Sequence, residues 1–219
     1  MCSTQAWLLP DPGFESGAEQ DKSQMTAKER KAGFSLTEMV LVLAIVLVVT
    51  AIATPSVVNT VANIRLRSAA SGVAGLLQNA RMQAVKEDDF YTSRSTTLSG
   101  SQTLVAYVDL DKDLNYDTNE PTMQLPVNTT FQASGYPSTS SMNLNYTPQA
   151  PSVLPSFNAR GLPCVAAGTV CNNIVSGNAV GFVYFLRDDR PFGAFGWAAV
   201  SVTPAGRVRT WIWDGNAWR

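Results

Sequence analysis

No histidine occurs anywhere in the 219 residues. That removes the side chain most used as a general base or zinc ligand near neutral pH, and with it every Ser-His or Cys-His nucleophile pair. Net charge is almost absent as well, at −1 for the whole chain. Residues 34–219 hold twelve Lys and Arg against twelve Asp and Glu, so bulk charge neither attracts nor repels nucleic acid, and any basic site has to be local. Cysteine is scarce. Of three, Cys2 stands alone, and the Cys164 and Cys171 pair supplies too few ligands for a metal clip. In an oxidising compartment those two are expected to form a disulfide across the 165–170 loop.

Charge is also missing from one long stretch. The twenty residues Phe34 to Ala53 carry a single ionisable side chain, Glu38. At about 1.5 Å per residue that segment makes a helix about 30 Å long, enough to cross a hydrocarbon core. Lys28-Glu29-Arg30-Lys31 precedes it, and no further Lys or Arg comes before Arg65. The preference for cytoplasmic basic residues therefore predicts a single pass with the N-terminus inside and everything after Thr54 outside. Glu38 is anomalous in such a segment, because a carboxylate deep in a membrane helix costs roughly 2.5–3.5 kcal/mol and usually marks a function.

A basic leader ending in Gly33, then Phe34-Ser35-Leu36-Thr37-Glu38 and an unbroken apolar run, resembles the class III signal of type IV pilins and pseudopilins. The resemblance implies cleavage between Gly33 and Phe34 by a prepilin peptidase, N-methylation of Phe34, and Glu38 as the residue that guides assembly. After cleavage the new Phe34 amine would lie one helical turn from Glu38, where it or a neighbouring subunit's amine could neutralise the carboxylate. The implied partners are other pilins or pseudopilins, the peptidase and an inner-membrane assembly platform. The implied place is the bacterial inner membrane, with the remainder in the periplasm or on a surface filament.

Residues 1–33 read as a leader, without periodicity over 1–32 and with a second possible start at Met25. Residues 34–88 read as one helix, its membrane-spanning first half followed at Pro55 by an expected kink or loosening. Beyond Pro55, Val57, Val61, Ile64, Ala69, Val73, Leu76, Leu77, Ala80 and Ala84 recur at helical spacing and predict a buried stripe. Residues 89–219 turn to strand patterns at Thr103 to Val108, Ala179 to Leu186, Phe195 to Val202 and Gly206 to Trp213, the last two joined by a turn at Thr203-Pro204-Ala205-Gly206. The polar segment from Ser134 to Ser156 offers one short strand around Met142, Leu144 and Tyr146. The class is α+β, a long N-terminal helix packed on an antiparallel head. Gln78-Asn79-Ala80-Arg81-Met82-Gln83-Ala84, Phe157-Asn158-Ala159-Arg160-Gly161 and Val200 to Val208 are similar to the minor pseudopilin H and FimT group, which implies a β-sandwich-like head.

Two clusters in the head suggest chemistry. Asp109, Asp111, Asp113, Asn115, Asp117 and Glu120 follow the ligand spacing of a calcium loop. Leu114 stands where that loop needs glycine, and no helix pair flanks it, so a plain polar connection between strands is the competing expectation. Near the end, Arg207, Arg209, Trp211 and Trp213 share one strand face, while Val208, Thr210 and Ile212 share the other. With Arg219 they could pair with phosphates and stack on bases. The competing expectation is that these long side chains cover the sheet. No phosphate-binding glycine loop is present, so nucleotide chemistry is not expected of the chain.

Overall fold

The computed structural model describes residues 33–98, 103–189 and 196–219. The leader, the possible start at Met25 and the basic patch at 28–31 lie outside the described residues. The described residues divide into two units, with the boundary between Ala44 and Ile45.

One α-helix, α1, runs from Leu36 to Glu87 and contributes to both units. Ser35 begins it: the Ser35 carbonyl accepts from the Met39 amide at 3.1 Å. Ser35-Leu36-Thr37-Glu38 has the spacing of a capping box, with Glu38 in the first turn where the helix dipole favours a carboxylate. The helix runs on through Pro55 without a break. The Thr50 and Thr54 hydroxyls donate to the Val46 and Thr50 carbonyls of the preceding turns at 2.9 and 2.7 Å, the back-bonding that often bends a helix. The helix ends where Asp88 takes φ 54° and the Asp89 amide reaches back to the Ala84 carbonyl at 3.2 Å.

The head is antiparallel throughout. Strands β1 (Tyr91–Thr97), β2 (Leu104–Asp109), β3 (Thr122–Gln124), β5 (Ser156–Phe157), β6 (Pro163–Ala167) and β7 (Val170–Asn172) form a sheet in the order β3-β2-β1-β5-β6-β7. A second sheet joins β4 (Thr129–Gln132), β10 (Phe182–Asp188), β11 (Gly196–Val202) and β12 (Val208–Ile212) in the order β12-β11-β10-β4. A small pair, β8 (Ile174–Val175) with β9 (Asn178–Ala179), stands apart. The expected α+β architecture is the one observed. The hairpin expected at Thr203-Pro204-Ala205-Gly206 connects β11 to β12, closed by the Gly206 amide on the Thr203 carbonyl at 2.7 Å.

Two strand expectations change. The run from Ala179 to Leu186 is broken at Val180 and Gly181, between β9 and β10, and the Tyr146 ring occupies the space a side chain at 181 would need. Residues 134–155 form no strand. Thr139–Met142 is instead a turn of 3₁₀ helix, and the segment lies across β10 and β11 as a strap, with Met142 buried and the Tyr146 hydroxyl donating to the Phe182 carbonyl at 3.3 Å.

The strap explains why β10 and β11 are buried on both faces. Alternation sends Phe182, Tyr184, Leu186, Ala198, Val200 and Val202 into a core shared with α1 and the first sheet. Val183, Phe185, Trp197 and Ala199 point the other way, onto Met142 and Trp218. Tyr136 stacks on Phe185 with ring centroids 3.8 Å apart.

The buried stripe of α1 is also displaced from the expected one. Ala69, Val73, Leu76, Leu77, Ala80 and Ala84 are buried as expected, but they continue a row through Ala62 and Leu66. Val57, Val61 and Ile64 are exposed on a different face that leads toward Met82 and Val85. Both rows have helical spacing, so periodicity alone could not decide which one meets the sheets.

Candidate functional site

The N-terminal region is built of side chains with nothing around them. Phe34 is 74% exposed, and the apolar residues from Leu36 to Ile52 are exposed along the whole run. An 18-residue window of α1 has a mean hydropathy of 2.6, none of it buried, and the helix is long and apolar enough to cross a membrane. A soluble domain exposing so much contiguous apolar surface would aggregate, which makes lipid or another protein the natural surroundings. Gly33 lies just before the helix, and a Cβ added there would meet no described atom within 4 Å. Residues 28–54 match the prokaryotic N-terminal methylation motif. The chain therefore carries a type IV pilin-like N-terminus, and the methylation motif covers Gly33, Phe34 and Glu38 together. The searches of curated proteins and of solved structures found no match to the chain.

In the head, the six calcium-pattern residues do not converge on one point. They fall into two overlapping trios, Asp109 with Asp111 and Glu120, and Asp111 with Asp113 and Asp117, each with one carboxylate oxygen per residue inside 4.8 Å. Asn115 is held by Asp113. Its amide group donates to Asp113 at 3.1 Å and its backbone N–H to the same carboxylate at 2.8 Å, which hold the Asp113 carboxyl below its usual range. Leu114 stands in the glycine position and takes φ 74°, as Lys112 takes φ 65°, at a cost of about 1–2 kcal/mol each for a residue with a Cβ.

Much of this loop is held without an ion. Glu120 is buried and accepts from the Leu110 amide at 2.8 Å and the Asp117 amide at 3.0 Å. Lys112 pairs with Asp89 and lies 4.3 Å over the Phe90 ring, tying the loop to the end of α1. Asp109 is ion-paired with Arg94 at 3.0 Å. The sequence reading missed Arg94, although a single Arg in the strand Tyr-Thr-Ser-Arg-Ser-Thr-Thr was a signal that a buried acid awaited it.

The C-terminal cluster is divided too. Val208 and Ile212 pack on the first core, and Trp211 and Trp213 pack on the second, in the alternation expected. Arg207 and Arg209 line an open groove of about 410 Å³ with Asn143, Asn145, Tyr146 and Trp211. Arg209 lies 4.7 Å over the Trp211 ring, whose Nε1 donates to Ser201 at 2.8 Å. Arg219 is elsewhere: its guanidinium pairs with Asp214 at 2.6 Å, and its backbone pairs with Ile212. Trp213 likewise turns away from the groove, 5.4 Å from Trp218.

Cys164 and Cys171 are bonded, with Cα atoms 5.4 Å apart, linking β6 to β7. Residues 78–84 of α1 and the head segments 157–161 and 200–208 meet at one point. Arg81 Nη1 donates to the Gly206 carbonyl at 3.0 Å, Gly161 faces the Arg81 side chain, and a methyl group on Gly206 would sit 2.6 Å from the Gly161 carbonyl oxygen. Their shared geometry is a joint between helix and sheets.

Proposed function

We propose that the protein is a minor pilin or pseudopilin of the pseudopilin H and FimT type. In this reading a prepilin peptidase cuts after Gly33, Phe34 is N-methylated, and the helix leaves the membrane to pack among other pilins on an inner-membrane assembly platform. The observation that carries the reading is the match over residues 28–54 on a helix whose apolar half is fully exposed. Glu38 has a second task in lipid, since pairing with a subunit's Phe34 amine removes the cost of a lone carboxylate. The protein works by assembly, in a type II secretion pseudopilus or a type IV pilus, and the head is its contribution to the filament. The test uses two variants. Gly33→Ala should leave the precursor at its full mass, and Glu38→Ala should be cut but absent from sheared filaments. Normal processing and assembly of both would sink the proposal.

A second reading is a nucleic-acid receptor in the head. It is favoured by the Arg207 and Arg209 groove, where a cation lies over an indole ring. Arg219, engaged by Asp214, is left out of it. Salt-sensitive binding of single-stranded DNA by the full chain in micelles, lost on Arg207→Ala with Arg209→Ala, distinguishes this reading from a purely structural head.

A further inference from the structure

The cluster at the end of β2 contains a buried carboxylate oxygen that the fold leaves without a hydrogen bond, beside an Arg94 Nε that contacts the same carboxylate as an ion pair only. Asp109 is 2% exposed and Glu120 is 7% exposed, and one oxygen of each lies within 4.8 Å of the other and of Asp111. Glu120 has two backbone N–H donors, and the Oδ2 of Asp109 has Arg94. The other oxygen of Asp109, Oδ1, is buried with no hydrogen-bond partner. Burying a carboxylate oxygen without a partner is costly, and such atoms in folded proteins call for an explanation.

The charge is uncompensated as well. Two buried carboxylates and one at the rim share a single guanidinium, that of Arg94. The other cation of this loop, Lys112, is turned away to Asp89 and the Phe90 ring.

We propose that Asp109, Asp111 and Glu120 bind a divalent cation, with Asp109 Oδ1 as the buried ligand. The donors are hard oxygens with no sulfur or imidazole among them, which selects calcium over zinc or copper. Three protein carboxylates completed by water suit the irregular shell that calcium accepts better than the tight octahedron of magnesium. The ligand set is a part of the sequence pattern: the sixth residue from Asp109 is a strained leucine, and Asp113, Asn115 and Asp117 are occupied with one another or with solvent. Such a site ties the loop after β2 to the strand that carries it, beside the corner where α1 gives way to β1.

The test uses the full chain in detergent micelles, freed of metal by a chelator. Tyr107 and Tyr116, whose rings lie 5.5 Å apart, frame the loop and sensitise bound terbium. Terbium emission should rise on titration and fall as calcium displaces it, and calcium should raise the melting midpoint. Asp111→Asn, an exposed position, should weaken calcium about tenfold or more, while Asp117→Asn should change it less than about twofold. The proposal is overturned if calcium up to about 10 mM neither displaces terbium nor shifts melting. It is equally overturned if Asp117→Asn costs as much as Asp111→Asn, since the ion would then sit in the exposed trio.

Discussion

Both halves of α1 are apolar, and they live in opposite circumstances. From Leu36 to Ile52 the helix carries Leu, Val and Ile, and every large apolar residue is exposed. From Leu66 to Ala84 its buried row is mostly alanine, with Val73, Leu76 and Leu77 between, packed against both sheets. Bulky branched side chains suit lipid or a neighbouring helix, where they fill space at the periphery. Alanine lets a helix axis approach a sheet closely and gives up little side-chain entropy on burial. Hydrophobicity thus reports only that a surface must be covered. The size of the side chains tells what covers it.

The comparison can be broken or sharpened by substitution, with the melting of the head as readout. The largest effect is expected at Leu77, 1% exposed. Leu77→Ala should destabilise by about 2–5 kcal/mol through lost contact and a cavity. Gly206→Ala should follow at about 2 kcal/mol or more, because φ 78° disfavours a side chain and its Cβ would meet the Gly161 carbonyl. Arg81→Gln should cost about 1–3 kcal/mol by leaving the Gly206 carbonyl without its charged donor. At the other end of the helix, Leu43→Ala and Glu38→Ala should each move head stability by less than about 0.5 kcal/mol, since both residues are exposed. Circular dichroism melts of the full chain in micelles measure all five. A large loss at Leu43 would show that the first half is packed against protein, and the contrast would collapse.

The helix, the antiparallel class and the β11–β12 hairpin were legible because each rests on local signals: an uncharged run, alternation, and a Thr-Pro-Ala-Gly turn. The failures lie where the deciding partner is remote in sequence. Val57, Val61 and Ile64 have the same spacing as the true buried row, and only the sheets choose between them. The strap over β10 and β11 looked like polar surface because Met142 and Tyr146 are few among Ser, Pro and Asn, yet each finds a buried contact. The calcium pattern marked the right loop but counted residues by spacing, whereas the backbone amides that claim Glu120 and the guanidinium that claims Asp109 come from the fold. Arg207 and Arg209 were placed together by the two-residue period. Arg219 was added by proximity in the chain and is bound to Asp214.

The joint at Arg81 has a consequence for the conditions the head can meet. Guanidinium stays protonated in proteins at every pH a cell or its surroundings impose, and its partner is a peptide carbonyl, which does not titrate. Histidine is absent from the whole chain, so no side chain among the described residues has an ordinary pKa between about pH 5 and 8. The attachment of helix to sheets is therefore deaf to acidity across that range. The contact between Arg81 and the β11–β12 turn is the same in a neutral and in a mildly acidic medium.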